Sequence, residues 1–87
     1  MLEELLNQEV VVDLRSPFVC LGTLLRIDEH FLELANADLH DLRDSSTNRE
    51  NYVAAARSSG VLANRKKVLL NRSEVIAIAR LQDVIAG

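Results

Sequence analysis

Cysteine occurs once in the 87 residues, at Cys20, so no internal disulfide can form. Metal ligands are nearly as scarce. Two histidines and one cysteine cannot supply the three or four closely spaced Cys, His or carboxylate donors that a zinc site needs. Tryptophan is absent, and Phe18, Phe31 and Tyr52 are the only aromatic residues, so a core must be built from Leu, Val, Ile and Ala. The three glycines, Gly22, Gly60 and Gly87, are too scattered for a phosphate-cradling loop. No Ser/His/Asp or Cys/His arrangement points to a nucleophile, so the expectation is a protein that is not an enzyme and needs no cofactor and no metal. No apolar run approaches the ~18 residues of a membrane span. The opening Met1-Leu2-Glu3-Glu4-Leu5 is acidic where a secretory signal would be basic. The expected location is therefore cytoplasmic, with no membrane partner.

These absences have a physical consequence. A single domain of this size buries only about 60–65% of its extended surface, so its own core is marginal. Without a disulfide or a metal, partner subunits are the expected supplement. Apolar residues make up 48% of the chain, and the net charge of −3 argues against a nonspecific polyanion binder. The charge is unevenly spread. Residues 1–47 hold three basic residues against ten acidic ones, whereas residues 48–87 hold seven basic against three. A chain with one acidic and one basic surface suits head-to-tail self-association.

Hydrophobic spacing divides the chain into short elements. Leu2, Leu5 and Leu6 predict a short amphipathic helical segment over 2–7. Val10, Val12 and Leu14 then alternate with polar or outward positions, predicting a strand over roughly 8–15 that Ser16-Pro17 ends. Val19 to Asp28 predicts a long strand bent at Gly22, in which Cys20 sits in an apolar run as a buried, unreactive thiol. After the tight turn Asp28-Glu29-His30, a further strand covers 31–36. Residues 39–62 predict an inserted helix of about three turns, with Thr47 and Glu50 as a capping box and Gly60 as the stop. Lys67 to Leu70 and Val75 to Ala79 predict two last strands across the turn Asn71-Arg72-Ser73-Glu74, and the tail from Leu81 carries no firm signal. Five short antiparallel strands with a bend-inducing glycine predict a mainly β, strongly curved small barrel in one domain spanning 1–87. An open sheet of this size would expose two adhesive edges, and pairing them between subunits removes both.

With the elements in that order, the chain resembles the Sm and Sm-like (LSm) proteins, the ring-forming family of RNA-binding small barrels that includes Hfq. Gly22, Leu24, Asp28 and Phe31 match the spacing of the first Sm motif, and Val68 to Ile78 is similar to the second. The resemblance implies an SH3-type barrel whose fourth strand pairs with a neighbour's fifth strand, closing a ring of six or seven subunits. It also implies single-stranded, U-rich RNA at the ring pore. Asp28 matches the motif aspartate, and His30 stands where the family's base-stacking side chain belongs. The amide that reads the base edge falls on Leu32, which can make no hydrogen bond. The second-motif arginine falls on Asn71 and its glycine on Arg72, and a one-residue slip in the turn returns Arg72 to the pore. Candidate RNA-binding residues are thus Asp28, His30, Asn71 and Arg72.

Plainer readings stand beside these. Asp28 can serve only its own turn, and His30, flanked by Asp28 and Glu29, can be a solvated turn histidine. Arg65-Lys66-Lys67 is expected to guard a strand edge, and Asp38, His40, Asp41 and Asp44 to form a solvated loop. The alternative to an RNA-binding ring is a structural or protein-interaction ring that has lost the RNA site. In that case the inserted helix would be its docking surface, with Tyr52 and Val53 as anchors.

Overall fold

Residues 1–44 and 46–85 are described in the computed structural model. A single 3-10 turn, Leu2–Leu5, precedes five strands: β1 (Glu9–Leu14), β2 (Phe18–Ile27), β3 (Phe31–Asp41), β4 (Arg65–Asn71) and β5 (Val75–Arg80). One α-helix, α1 (Arg49–Ser59), is inserted between β3 and β4, and single 3-10 turns follow β3, β4 and β5. The strands form one antiparallel sheet in the order β4-β3-β2-β1-β5. Both β4 and β5 therefore lie at edges.

The helical start is shorter than the 2–7 expected. Asn7 adopts a left-handed conformation (φ 63°), which turns the chain into β1, and its N–H donates to the Leu24 carbonyl at 2.7 Å. Leu2, Leu5 and Leu6 still pack against the core.

Gly22 is the bend. Leu21 pairs with Asp38 and Thr23 with Ala35, so two residues of β3, Asn36 and Ala37, oppose Gly22 alone. Asn36 takes the left-handed conformation (φ 50°) that such a bulge uses. The bulge carries β3 onward to Asp41, past the expected end at residue 36, because Leu39 and His40 continue the ladder opposite Cys20 and Val19. The insert accordingly begins after Asp41 rather than at 39.

The two faces of the sheet bury different things. Val10, Val12, Leu24, Leu32, Leu34 and Leu70 fill the inner side of the bend. On the other face, Val11, Val19 and Leu21 are covered by Val53 of α1 and by Leu81. This explains why Val10, Val11 and Val12 are all buried in succession where a half-exposed strand would alternate.

Local chemistry sets the limits of α1. Its N-cap is Asn48, whose Oδ1 accepts from the Asn51 N–H at 2.8 Å, one residue after the expected Thr47. Gly60 ends it as expected, at φ 94° and with its N–H on the Ala56 carbonyl. Arg49 lies 3.6 Å from the Asp13 carboxylate, and Arg57 Nε donates to the Gln82 carbonyl at 3.2 Å, so both helix ends are tied to the sheet side of the molecule.

Tyr52 and Val53 are not docking anchors. Val53 is 6% exposed against the sheet, and Tyr52 stacks on His40 with ring centroids 4.0 Å apart while its hydroxyl donates to Asp38 Oδ2. Asn64 Nδ2 donates to Asp38 Oδ1 at 3.1 Å, so the buried carboxylate has partners from the helix and from the chain entering β4. Burial, then the Asp38 bond, pushes the Tyr52 hydroxyl pKa upward. Removing that donor leaves a buried oxygen short of a partner, which costs about 1–3 kcal/mol. Tyr52→Phe is expected to lower unfolding stability by that amount in urea denaturation, with the circular dichroism of the native state unchanged.

Candidate nucleic-acid interface

Two turns meet at one end of the sheet. In the first, between β2 and β3, Asp28 Oδ1 accepts from the N–H groups of His30 (2.8 Å) and Phe31 (2.7 Å), and its own N–H donates to the Phe31 carbonyl at 3.0 Å. Aspartate suits this place because its short side chain folds back onto the backbone two and three residues ahead. The second turn joins β4 to β5. Asn71 Oδ1 accepts from Ser73 N–H (3.1 Å) and Ser73 Oγ–H (2.9 Å), shaping the 3-10 turn Arg72–Glu74.

Arg72 links the turns. Its N–H donates to the His30 carbonyl at 2.8 Å, and Nη1 donates to the Asp28 carbonyl at 2.6 Å. Arg15, which sequence reasoning passed over, braces the second turn: its Nε donates to the Ser73 carbonyl (2.9 Å) and its N–H to that of Glu74 (2.8 Å). The sequence candidates Asp28 and His30 are therefore brought together with Asn71 and Arg72, although the two pairs lie more than 40 positions apart in the chain.

Their side chains do different work. The His30 side chain is 74% exposed, with Nε2 3.9 Å from Glu29 Oε2, and is presented to solvent beside the Arg72 guanidinium's anchoring point. The Asn71 carbonyl oxygen is engaged inside its own turn. Leu32, where a base-reading amide was sought, is 2% exposed and belongs to the core opposite Leu70. The outward residue beside it is Phe31, 39% exposed and cross-strand from Asn71. Phe31 is the aromatic surface that sequence reasoning missed. The burial of Leu32 and Leu34 gives the signal, since the alternation then turns Phe31 and Glu33 outward.

The backbone N–H groups of Phe31 and then His30 hold the Asp28 carboxyl below the usual carboxylate range. The unfolded chain, with a higher Asp28 pKa, takes up its proton first, so the stability this carboxylate contributes is present above about pH 4 and is lost as pH falls through the depressed folded value. Asp28→Asn keeps a carbonyl acceptor without the charge. It is expected to flatten the acid limb of the stability curve by lowering stability at pH 7 toward its acid value while leaving stability below the folded pKa little changed, as read from urea midpoints across pH.

Elsewhere, Asp41 is held by Arg43, with Nη2 2.7 Å from Oδ2, and Asp38 by Tyr52 and Asn64, so the acidic loop expected near residue 40 is a set of local bonds. Among the described residues no cluster of three or more Cys, His, Asp or Glu could hold a metal. A cleft of about 470 Å³, lined by Asn7, Gln8, Glu9, Arg57, Leu81 and Gln82, includes none of the four candidates. No described helix is long and apolar enough to cross a membrane.

A bent five-stranded antiparallel sheet, a short helical start, a helix between β3 and β4, and paired turns at one end of the sheet define an Sm-like fold. No family model matches the chain, and no curated protein matches its sequence. Solved structures are similar to it. The Sm protein of Pyrococcus abyssii, solved in complex with a uridine heptamer, is 22% identical over 90% of this chain and 89% of its own, with a TM-score of 0.61. An Sm-like protein from Archaeoglobus fulgidus is 15% identical over 92% of this chain and 88% of its own, with a TM-score of 0.62.

Proposed function

We propose that this protein assembles head to tail into a closed ring of six or seven copies and binds single-stranded, U-rich RNA at the pore, without catalysing a reaction. The observation that carries the reading is the joined pair of turns, in which Arg72 bonds to the carbonyls of Asp28 and His30 while the His30 ring stands in solvent. Ring closure is supported by the two edge strands, β4 and β5, which carry the outward apolar side chains Leu69 (58% exposed) and Ile76 (64%). Strand pairing between copies satisfies both edges at once and covers that surface. The solved likeness bound to a uridine heptamer supports uridine as the ligand to try first.

In this reading each copy offers a flat ring, His30, for a base to stack on, and a guanidinium, Arg72, near the phosphates. Phe31 adds a second aromatic surface close by. Base-edge reading by an amide is not carried by Leu32, so discrimination for uridine rests on stacking and shape. The direct test is fluorescence anisotropy of a labelled oligouridine, compared with oligoadenosine, at two salt concentrations. Binding that prefers uridine and weakens with salt supports the reading. Absence of binding to either oligonucleotide sinks it.

One observation favours a second reading, a structural ring without RNA. Leu32 fills the core where the base reader should stand, and the Asn71 carbonyl oxygen is occupied within its turn. An intact ring with no affinity for RNA would select this alternative.

A further inference from the structure

We infer that Arg15 is a second guanidinium that grips the phosphates of the RNA strand at the β4–β5 turn, beside Arg72. The inference rests on the RNA reading above and deepens it, adding to the paired turns a residue from the end of β1.

Arg15 follows the last residue of β1 and is exposed. Two bonds hold it to the distant turn. Its backbone N–H donates to the Glu74 carbonyl at 2.8 Å, and its Nε donates to the carbonyl of Ser73, 58 positions on in the chain, at 2.9 Å. The Ser73 bond uses one of the five N–H donors of the guanidinium. The four on Nη1 and Nη2 have no partner among the described residues. Because Nε is already fixed, an anion that engages the other four has little further side chain to order.

Charge points the same way. Arg26, Arg43, Arg49 and Lys67 each lie within 4.0 Å of a carboxylate. Arg15 and Arg72 lie that close to none among the described residues, although Arg15 is bonded to Ser73, the residue that follows Arg72. Glu74, next in the turn, is exposed and pairs with neither. Glu3 is committed elsewhere: the Met1 amino group, 2.7 Å away, is the first cause that holds its carboxyl below the usual range, and Arg72 contributes least. Two uncompensated guanidinia fastened to one turn repel each other, and a polyanion laid across them removes that cost.

A continuous line of bonds, from the His30 carbonyl through Arg72 and Ser73, ends at Arg15. The strand therefore meets a ring for one base at His30 and two guanidinia for its backbone beyond it. The planar fork of each guanidinium matches a pair of phosphate oxygens. Arg15 adds affinity without reading sequence, because phosphates are the same at every nucleotide.

Arg15→Gln separates the charge from the brace. Glutamine Nε2 stands as many bonds from Cα as arginine Nε, so the bond to Ser73 is kept while the charge is removed. Fluorescence anisotropy of a labelled oligouridine is followed across a salt series, on rings verified by native mass spectrometry. Each phosphate contact to a single strand adds about 0.7 to the log–log salt slope, so Arg15→Gln is expected to lose at least about 0.7 of slope and to bind at least about fivefold more weakly at low salt. Arg15→Lys keeps the charge and gives up the planar fork, and is expected to keep the parent's slope. Unchanged affinity in Arg15→Gln, or weaker binding with the parent's slope, overturns the phosphate contact and leaves the RNA reading standing. A parent ring that binds no oligouridine overturns both.

Discussion

Valine at position 22 is expected to abolish the cooperative folded state, and even Gly22→Ala should lower the melting temperature by roughly 5–20 °C. A Cβ on Gly22 would stand 3.0 Å from the Ala35 carbonyl oxygen, 3.0 Å from Ala37 Cα and 3.2 Å from Ala37 Cβ. Two of these are backbone atoms in the bulge opposite, so no rotamer change relieves the contact. Overpacking of this kind typically costs about 1–3 kcal/mol, and each kcal/mol moves the midpoint of so small a domain by about 4–8 °C. Valine adds two methyl groups at the same point, where the sheet must bend most. Thermal melts followed by circular dichroism check this; an alanine variant that melts with the parent would show that the bend tolerates a side chain.

The second large effect belongs to the paired turns. His30→Ala is expected to weaken oligouridine binding about 5- to 150-fold, because base–aromatic stacking is worth about 1–3 kcal/mol per base. Its side chain is 74% exposed, so the fold and the ring should be unaffected. Arg72→Ala should cost at least as much. It removes a cation and also releases the Nη1 bond to the Asp28 carbonyl that ties the two turns together. Arg72→Lys keeps the charge but not the planar fork, so an intermediate affinity is expected. Anisotropy titrations on rings verified by native mass spectrometry measure all three. Unchanged affinity in both alanine variants would remove the turns from RNA binding.

The succession of elements along the chain and the bend were legible because both rest on local signals: period-two alternation in Val10–Leu14, a glycine inside an apolar run, and turn residues at Asp28 and Asn71. The extent of β3 was not. The bulge that lets β3 continue to Asp41 depends on Asn36 accepting a left-handed conformation against Gly22, a relation between two strands that no window of sequence contains. The start of α1 was missed by one residue, because Ser46, Thr47 and Asn48 are all capping residue types and tertiary packing selects among them. Tyr52 and Val53 were misassigned to a docking face for a related reason. The buried run Val10-Val11-Val12 already implied a covered outer face, and α1 is the element that covers it.

Within the candidate site, motif spacing put Asp28 and His30 in one turn and Asn71 and Arg72 in another, with the arginine position itself falling on Asn71, and the structure brings the two turns together through Arg72. The spacing failed at residue 32. There the motif called for an outward amide, but the core needs Leu32 and Leu34 on its side, and packing decides the direction. The outward aromatic surface therefore passes to Phe31.

Native mass spectrometry of the purified protein, with and without a short oligouridine at moderate salt, tests the central claim most directly. A single species of six or seven copies that gains the mass of one RNA strand is the predicted result. A protein that remains monomeric at micromolar concentration, with or without the RNA, would contradict the account.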